Sequence, residues 1–161
     1  MRKSVVVLAL AILCAAAMAA ITPDEKTPDL SGTWKLDVAK SDFGQFPAPD
    51  SQTNVIEHKD PKLKIKSTTK GGMQGDNEVE TNYTTDGAEC SNKMGPMDVK
   101  STAKWEGKKL VMHSKLDMQG NEIAITATYE LSDDAKLLTV TSDIKSGMGD
   151  FTLKSVYNKS E

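Results

Sequence analysis

The sequence predicts an all-β protein: one antiparallel up-and-down β-barrel of about eight to ten strands. Three observations carry this. From Leu30 onward, apolar and polar residues alternate along run after run, the period of half-buried strands. The connections between runs are mostly of hairpin length and hold Gly, Pro, Asn and Asp. None leaves room for a crossover helix, so successive strands must pair with one another. A meander of this size, with one apolar face per strand, removes its exposed edges by closing on itself.

The elements follow in order. Residues 1–19 read as a signal peptide: Arg2 and Lys3 open it, Val5–Leu13 is an unbroken apolar run, and Ala17-Met18-Ala19 supplies small residues before a cut after Ala19. The run is short for a membrane span, and Leu13 before Cys14 argues against a lipid anchor. The mature chain is therefore expected to be secreted or periplasmic, with no stable membrane insertion. Residues 20–29, "AITPDEKTPD", are polar and proline-interrupted and read as a flexible leader. The barrel domain is assigned to residues 30–161. Its strands are placed at Thr33–Val38, Thr53–Lys59, Leu63–Lys70, Asn77–Thr84 and Ala88–Asn92, then Met97–Trp105, Lys109–Met118, Glu122–Leu131, Lys136–Ile144 and Asp150–Asn158. The run "MDVKSTAKW" shows the pattern best, with Met97, Val99, Ser101, Ala103 and Trp105 on one face and Asp98, Lys100, Thr102 and Lys104 on the other.

Charge and composition exclude several classes. The chain carries 20 basic and 23 acidic residues, a net charge of −3. Loss of Arg2 and Lys3 with the signal takes this to 18 against 23, or −5, and removes the only arginine. An acidic surface without arginine argues against nucleic acid as a partner. Cys14 leaves too, so Cys90 has no intramolecular partner and no disulfide supports the fold. His58 and His113 lie on different strands without metal-ligand spacing, and Asp133-Asp134 sits in a turn. No catalytic constellation, cofactor motif or conventional metal site emerges, and the chain does not read as an enzyme. Oligomeric state is left open.

The methionines are the unusual feature. Met73, Met94, Met97, Met118 and Met148 all lie in or beside glycine-bearing turns, where solvated residues are the rule. In an up-and-down barrel successive connections alternate between the two ends. The long first loop, Ala39–Gln52, then shares one rim with these five methionines and brings Phe43 and Phe46 to it. The opposite rim is expected to hold only charged and small turn residues. Three readings of the methionine rim stay open: a hydrophobic cap on a packed barrel working as a structural or interaction module; a pliable mouth for a small apolar molecule; or thioethers gathering Cu(I), with Met94 and Met97 as the best pair. Inward positions such as Ser67, Ser101, Ala103, Ser114 and Ala127 are small and uncharged. A ligand inside is then expected to be neutral, or to keep its polar end near the rim.

The stretch "LSGTWKLD", with Gly32-x-Trp34 at the head of the first strand, resembles the opening motif of the calycins, the superfamily of lipocalins and cytosolic fatty-acid-binding proteins. The order of elements over Leu30–Lys159 is similar as well. The resemblance implies a ligand-binding barrel whose Trp34 plugs the closed end under a basic side chain of the last strand, here Lys154 or Lys159. It also implies that Tyr157 faces the ligand, as the tyrosine of the family's last-strand Arg-x-Tyr does. This chain reads Ser155-Val156-Tyr157 there, without the cation, so a fatty-acid carboxylate held in the family's manner is not expected. The first loop, with two prolines, is more similar to a lipocalin's than to a helical lid. The exported, lipocalin-like reading thus assigns Phe43, Phe46, Met73, Met94, Met97, Met118, Met148 and Tyr157 to a small apolar ligand. Gly32, Trp34 and Lys159 are assigned to barrel closure.

Overall fold

Ten strands follow one another around a barrel in the computed structural model, which describes residues 27–73, 75–118 and 120–160. Residues 1–19, read from sequence as a signal peptide, and residues 20–26 of the expected leader lie outside the described residues. The strands are β1 (Gly32–Leu36), β2 (Pro49–Lys59), β3 (Lys62–Gly71), β4 (Asn77–Thr84), β5 (Asp86–Met94), β6 (Met97–Glu106), β7 (Lys109–Met118), β8 (Asn121–Leu131), β9 (Leu137–Ser146) and β10 (Gly149–Ser160). Their order in the sheet is β4-β3-β2-β1-β10-β9-β8-β7-β6-β5, all antiparallel. Every sequence neighbour is therefore a spatial neighbour except across one seam, and β10 closes onto β1.

The seam lies between β4 and β5, which run side by side without a backbone ladder. The Asn92 side chain spans it with a pair of hydrogen bonds. Asn92 Oδ1 accepts from the Asn82 N–H at 2.8 Å, and Asn92 Nδ2 donates to the Asn82 carbonyl at 3.0 Å. A primary amide carries the same donor and acceptor as a peptide unit, so Asn92 supplies one rung of the missing ladder.

Alternation puts one face of each strand inside. On β6, Val99, Ser101 and Ala103 are buried while Asp98, Lys100 and Lys104 are exposed. The outer face carries cross-strand ion pairs, the diagonal Lys64–Glu80 at 3.2 Å and Lys66–Glu78 at 3.0 Å and the directly opposed Lys109–Glu130 at 2.6 Å among them. Exposed pairs of this kind contribute roughly 0–1 kcal/mol each. Their role is to keep the outside polar and the register fixed.

Connections β1–β2, β3–β4, β5–β6, β7–β8 and β9–β10 share one end, called here the mouth, and the remaining connections, with the start of β1 and the end of β10, share the other, the base. The base is filled by large side chains. Trp34, Leu30, Leu63, Leu110 and Leu138 are almost wholly buried there, each side chain contributing roughly 1.5–3 kcal/mol. The Trp34 indole N–H donates to the Leu30 carbonyl at 2.9 Å. Lys159, the cross-strand partner of Trp34, holds its Nζ 5.2 Å from the ring centroid, a cation–π contact. A Cβ on Gly32 would lie 2.7 Å from Lys159 Cε, and Gly32 adopts φ +140°. Glycine is needed there so that the lysine stem can cross to the tryptophan.

The first loop is shorter than the sequence suggests. β2 begins at Pro49, paired with Gly71, rather than at Thr53. Proline is tolerated at a strand's first residue, where it withholds no rung, and the ladder slips between Pro49 and Ser51. The remaining loop forms a single 3₁₀ turn over Val38–Lys40 and then runs along β10. Asp42 and Lys154 exchange backbone hydrogen bonds at 2.7 and 2.8 Å, and the Val156 N–H donates to Ser41 Oγ at 2.9 Å. The loop is thus a piece of barrel wall between β2 and β10.

Candidate functional site

A cavity of about 400 Å³ occupies the mouth half of the barrel. Its opening is framed by Phe43, Phe46 and Pro47 of the first loop, Gly72 and Met73 of the β3–β4 turn, and Met94 at the end of β5. The loop is drawn inward because its rings have a partner: Phe46 packs edge-on against Phe151 with centroids 5.1 Å apart, a geometry favoured by aromatic quadrupoles. Gly72, at φ +71°, lets the loop approach the turn, since a Cβ there would lie 3.0 Å from Pro49 Cα.

Further in, the walls are Ile65, Val79, Val140 and Leu153, with Ser67, Ser142 and Ser155 between them. Below these the lining turns polar without becoming charged. Tyr157 donates its hydroxyl to Gln52 Oε1 at 3.2 Å, and Gln52 Nε2 donates to Asn54 Oδ1 at 3.3 Å. Tyr83 and Tyr129 complete this floor. Burial pushes all three phenols above their ordinary pKa. They are neutral donors across the physiological range. Among the described residues, no lysine, histidine, aspartate or glutamate lines the cavity.

Of the residues assigned to the ligand from sequence, Phe43, Phe46, Met73, Met94 and Tyr157 line this space. Met97, Met118 and Met148 stand at the same end but outside it. Met97 is half-buried as the cross-strand partner of Met94, whereas Met118 is 43% and Met148 84% exposed. Strand parity places a turn at the mouth but does not aim the side chains within it. Met94 and Met97 acquire no imidazole, because His113 is on the outer face, where its Nδ1 meets Thr126 Oγ1 at 3.1 Å.

The base holds a second cluster that sequence reasoning missed, having expected only charged and small turn residues there. Asp60, in the β2–β3 turn, accepts from Thr85 Oγ1 at 2.6 Å, from Trp105 Nε1 at 3.1 Å, from His58 Nε2 at 2.9 Å and from Thr27 Oγ1. The Leu30 N–H donates to His58 Nδ1 at 3.3 Å, which leaves the ring proton on Nε2. Burial raises the Asp60 pKa, but the hydrogen bonds from Thr27, Thr85, His58 and Trp105 outweigh it and hold the carboxyl well below its ordinary value. These bonds tie the incoming chain, β2, the β4–β5 connection and β6 together under the plug. Thr27 and Asp29 of the leader take part, Asp29 Oδ1 accepting the Ser31 N–H at 2.9 Å. An open groove of about 620 Å³, lined by Ser31, Glu57, His58, Lys62 and Tyr83 among others, lies beside the cluster, while the hydrogen bonds of Asp60 hold the base together.

Cys90 is a free, half-buried thiol at the seam, 3.6 Å from Thr84 Oγ1. Among the described residues no group of three or more His, Cys, Asp or Glu side chains could hold a metal ion.

No protein-family model matches the chain, and no curated protein matches it in sequence. Its fold does match known structures. A secretory abundant heat soluble protein from Ramazzottius varieornatus superposes with a TM-score of 0.62 at 15% identity, covering 84% of this chain and 99% of that one. Secretory abundant heat soluble protein 4 from the same organism gives 0.58 at 14% identity, covering 84% and 99%. The zebrafish ileal bile acid-binding protein complexed with cholic acid gives 0.56 at 16% identity, covering 81% and 98%. These are calycin-like barrels, and the chain shares their fold.

Proposed function

We propose that the protein is an exported binding protein that carries a small, predominantly apolar, uncharged molecule inside its barrel. The observation that supports this is the cavity: about 400 Å³, apolar at its opening and free of charged lining. Ligand sites of roughly 300–1,000 Å³ with a few placed polar groups are the common pattern. A barrel serving only as a rigid module has no need to leave half its interior unfilled, since a void forfeits packing energy. One neighbour in fold is a bile acid-binding protein crystallised with cholic acid, which lends support to the internal site. Export rests on the N-terminal sequence alone. Phe43, Phe46, Met73 and Met94 form the mouth in this reading, and Met97 buttresses Met94. The copper reading has no observation in its favour beyond the Met94–Met97 pair.

Nile red, a neutral fluorophore, tests the carrier reading. The purified mature chain is expected to bind it one to one, with blue-shifted emission, and Phe46→Asp is expected to weaken it at least tenfold. Absence of binding, together with no copurifying molecule in native mass spectrometry, refutes the reading. Export is tested separately by N-terminal sequencing of the chain recovered outside the cytoplasm, with Ala20 expected first.

A further inference from the structure

Resting on the carrier reading, we propose that the cavity floor is a hydrogen-bonding subsite that takes the uncharged oxygen head of an amphipathic ligand, an alcohol or a carbonyl compound, with the head inward and the tail at the mouth. Of the two expectations from sequence, a neutral ligand or one keeping its polar end near the rim, this takes the first and places the polar end inward.

The argument begins with Tyr129. It pairs across strands with Leu110 and Val140, deep in the barrel, yet it keeps accessible surface, and that surface is cavity wall. Its hydroxyl has no hydrogen-bond partner among the described residues, whereas Tyr157, Gln52 and Asn54 are bonded in series. A phenol at this depth almost always finds a partner. An O–H aimed into an uncharged cavity is therefore placed for a ligand acceptor. Tyr157 lies close enough to influence Tyr129 electrostatically, as does Tyr83. The Tyr157–Gln52–Asn54 series keeps unused capacity: each amide has a second N–H, and Gln52 Oε1 a second lone pair. An alcohol oxygen can accept from Tyr129 and donate onward into this series.

Two further features fix polarity and charge. The opening is Phe43, Phe46, Met73 and Met94, and the floor is Tyr83, Tyr129, Tyr157, Gln52 and Asn54. A ligand with one polar end matches this gradient in one direction only. A carboxylate carried to the floor loses its water and meets no cation, a costly transfer. The floor thus selects for neutral oxygen over the ionised acid.

Displacement of Nile red by decanol, decanoate and decane at pH 8 tests this. Decanol is expected to compete at least tenfold better than decanoate, and better than decane. Tyr129→Phe removes an O–H that bonds nothing among the described residues, so its thermal midpoint should stay at the wild-type value. It is expected to weaken decanol about five- to tenfold, the worth of one neutral hydrogen bond, while leaving decane within about twofold. Equal competition by all three, or a decanol affinity untouched by Tyr129→Phe, overturns the subsite and leaves the carrier reading standing. Failure of Nile red and of all three competitors to bind overturns both.

Discussion

Removing the Asn92 amide isolates the contribution of the seam between β4 and β5. Asn92→Ala deletes both hydrogen bonds to Asn82, at 2.8 and 3.0 Å. Each is a side chain-to-backbone bond at a partly buried site, worth about 1 kcal/mol net. The pair therefore contributes about 2 kcal/mol, and some of this returns when water reaches the exposed Asn82 groups. For a chain of this size each kcal/mol moves the thermal midpoint by about 2–4 °C. A fall of about 3–8 °C is expected. The sharper readout is hydrogen exchange at the Asn82 amide, which has no ladder partner across the seam and is protected by Asn92 Oδ1 alone. Exchange there should accelerate about tenfold or more beyond any change in global stability, while amides in the β7–β8 ladder track the global value. Asn92→Asp gives a signed control. Its carboxylate can still accept the Asn82 N–H but repels the Asn82 carbonyl. It should therefore rank below wild type at pH 7 and approach it at a pH low enough to protonate the new carboxyl, which restores the donor. Unchanged protection of the Asn82 amide in Asn92→Ala would show that the seam is closed by something else, and the rung assigned to Asn92 would be wrong.

Gly32→Ala should destabilise the protein by about 1–3 kcal/mol in urea titration, because it places a Cβ against Lys159 Cε and forces alanine to φ +140°. Adding Lys159→Ala should recover the steric part and leave the backbone part, and full additivity of the two changes would refute the contact. Asp60→Asn should cost about 2 kcal/mol, since it replaces an ionised acceptor of four hydrogen bonds by an amide. Because the folded pKa of Asp60 lies below the unfolded value of about 3.9, its contribution is full above that pH and is lost as pH falls toward the folded pKa. The difference between wild type and Asp60→Asn should therefore be constant from pH 5 to 7 and shrink only below about pH 4; a difference that grows in acid contradicts the assignment. Mild peroxide should oxidise Met148 and Met73 first, at 84% and 63% exposure, then Met118 at 43%, and leave Met112, at 4%, until last. Peptide mass spectrometry reads that order directly, and early oxidation of Met112 would mean that the barrel opens.

How far sequence could reach depends on which features are set locally. Alternation along β6 and β7 is a property of the strand itself, so the inward sets Val99-Ser101-Ala103 and Leu110-Met112-Leu116 were legible. Parity needs only a count of short connections, and it brought Phe43, Phe46, Met73 and Met94 to one opening. It could not aim Met118 and Met148, because in a turn the side-chain direction is set by individual φ/ψ values rather than by period; Gly149, beside Met148, sits at φ +124°. The Asp60 cluster was illegible for a different reason. Its members come from the leader, β2, the β4–β5 connection and β6, and an aspartate before proline in a hairpin turn carries no mark of the Trp105 and Thr85 that will meet it. The cavity floor lies between these cases. Alternation put Tyr129 on the inner face in company with Ile123, Ile125 and Ala127, but that apolar company hid what the barrel makes of it. Only closure brings β8 opposite β2 and β10 and sets an unpaired phenol O–H beside the Tyr157–Gln52–Asn54 series. The same closure packs the largest side chains, Trp34, Leu63, Leu110 and Leu138, at the base, and leaves serines and threonines lining the mouth half. Filling one end with bulk and the other with small residues is what leaves a cavity in a barrel of ten strands, and the polar floor lies where the two regimes meet.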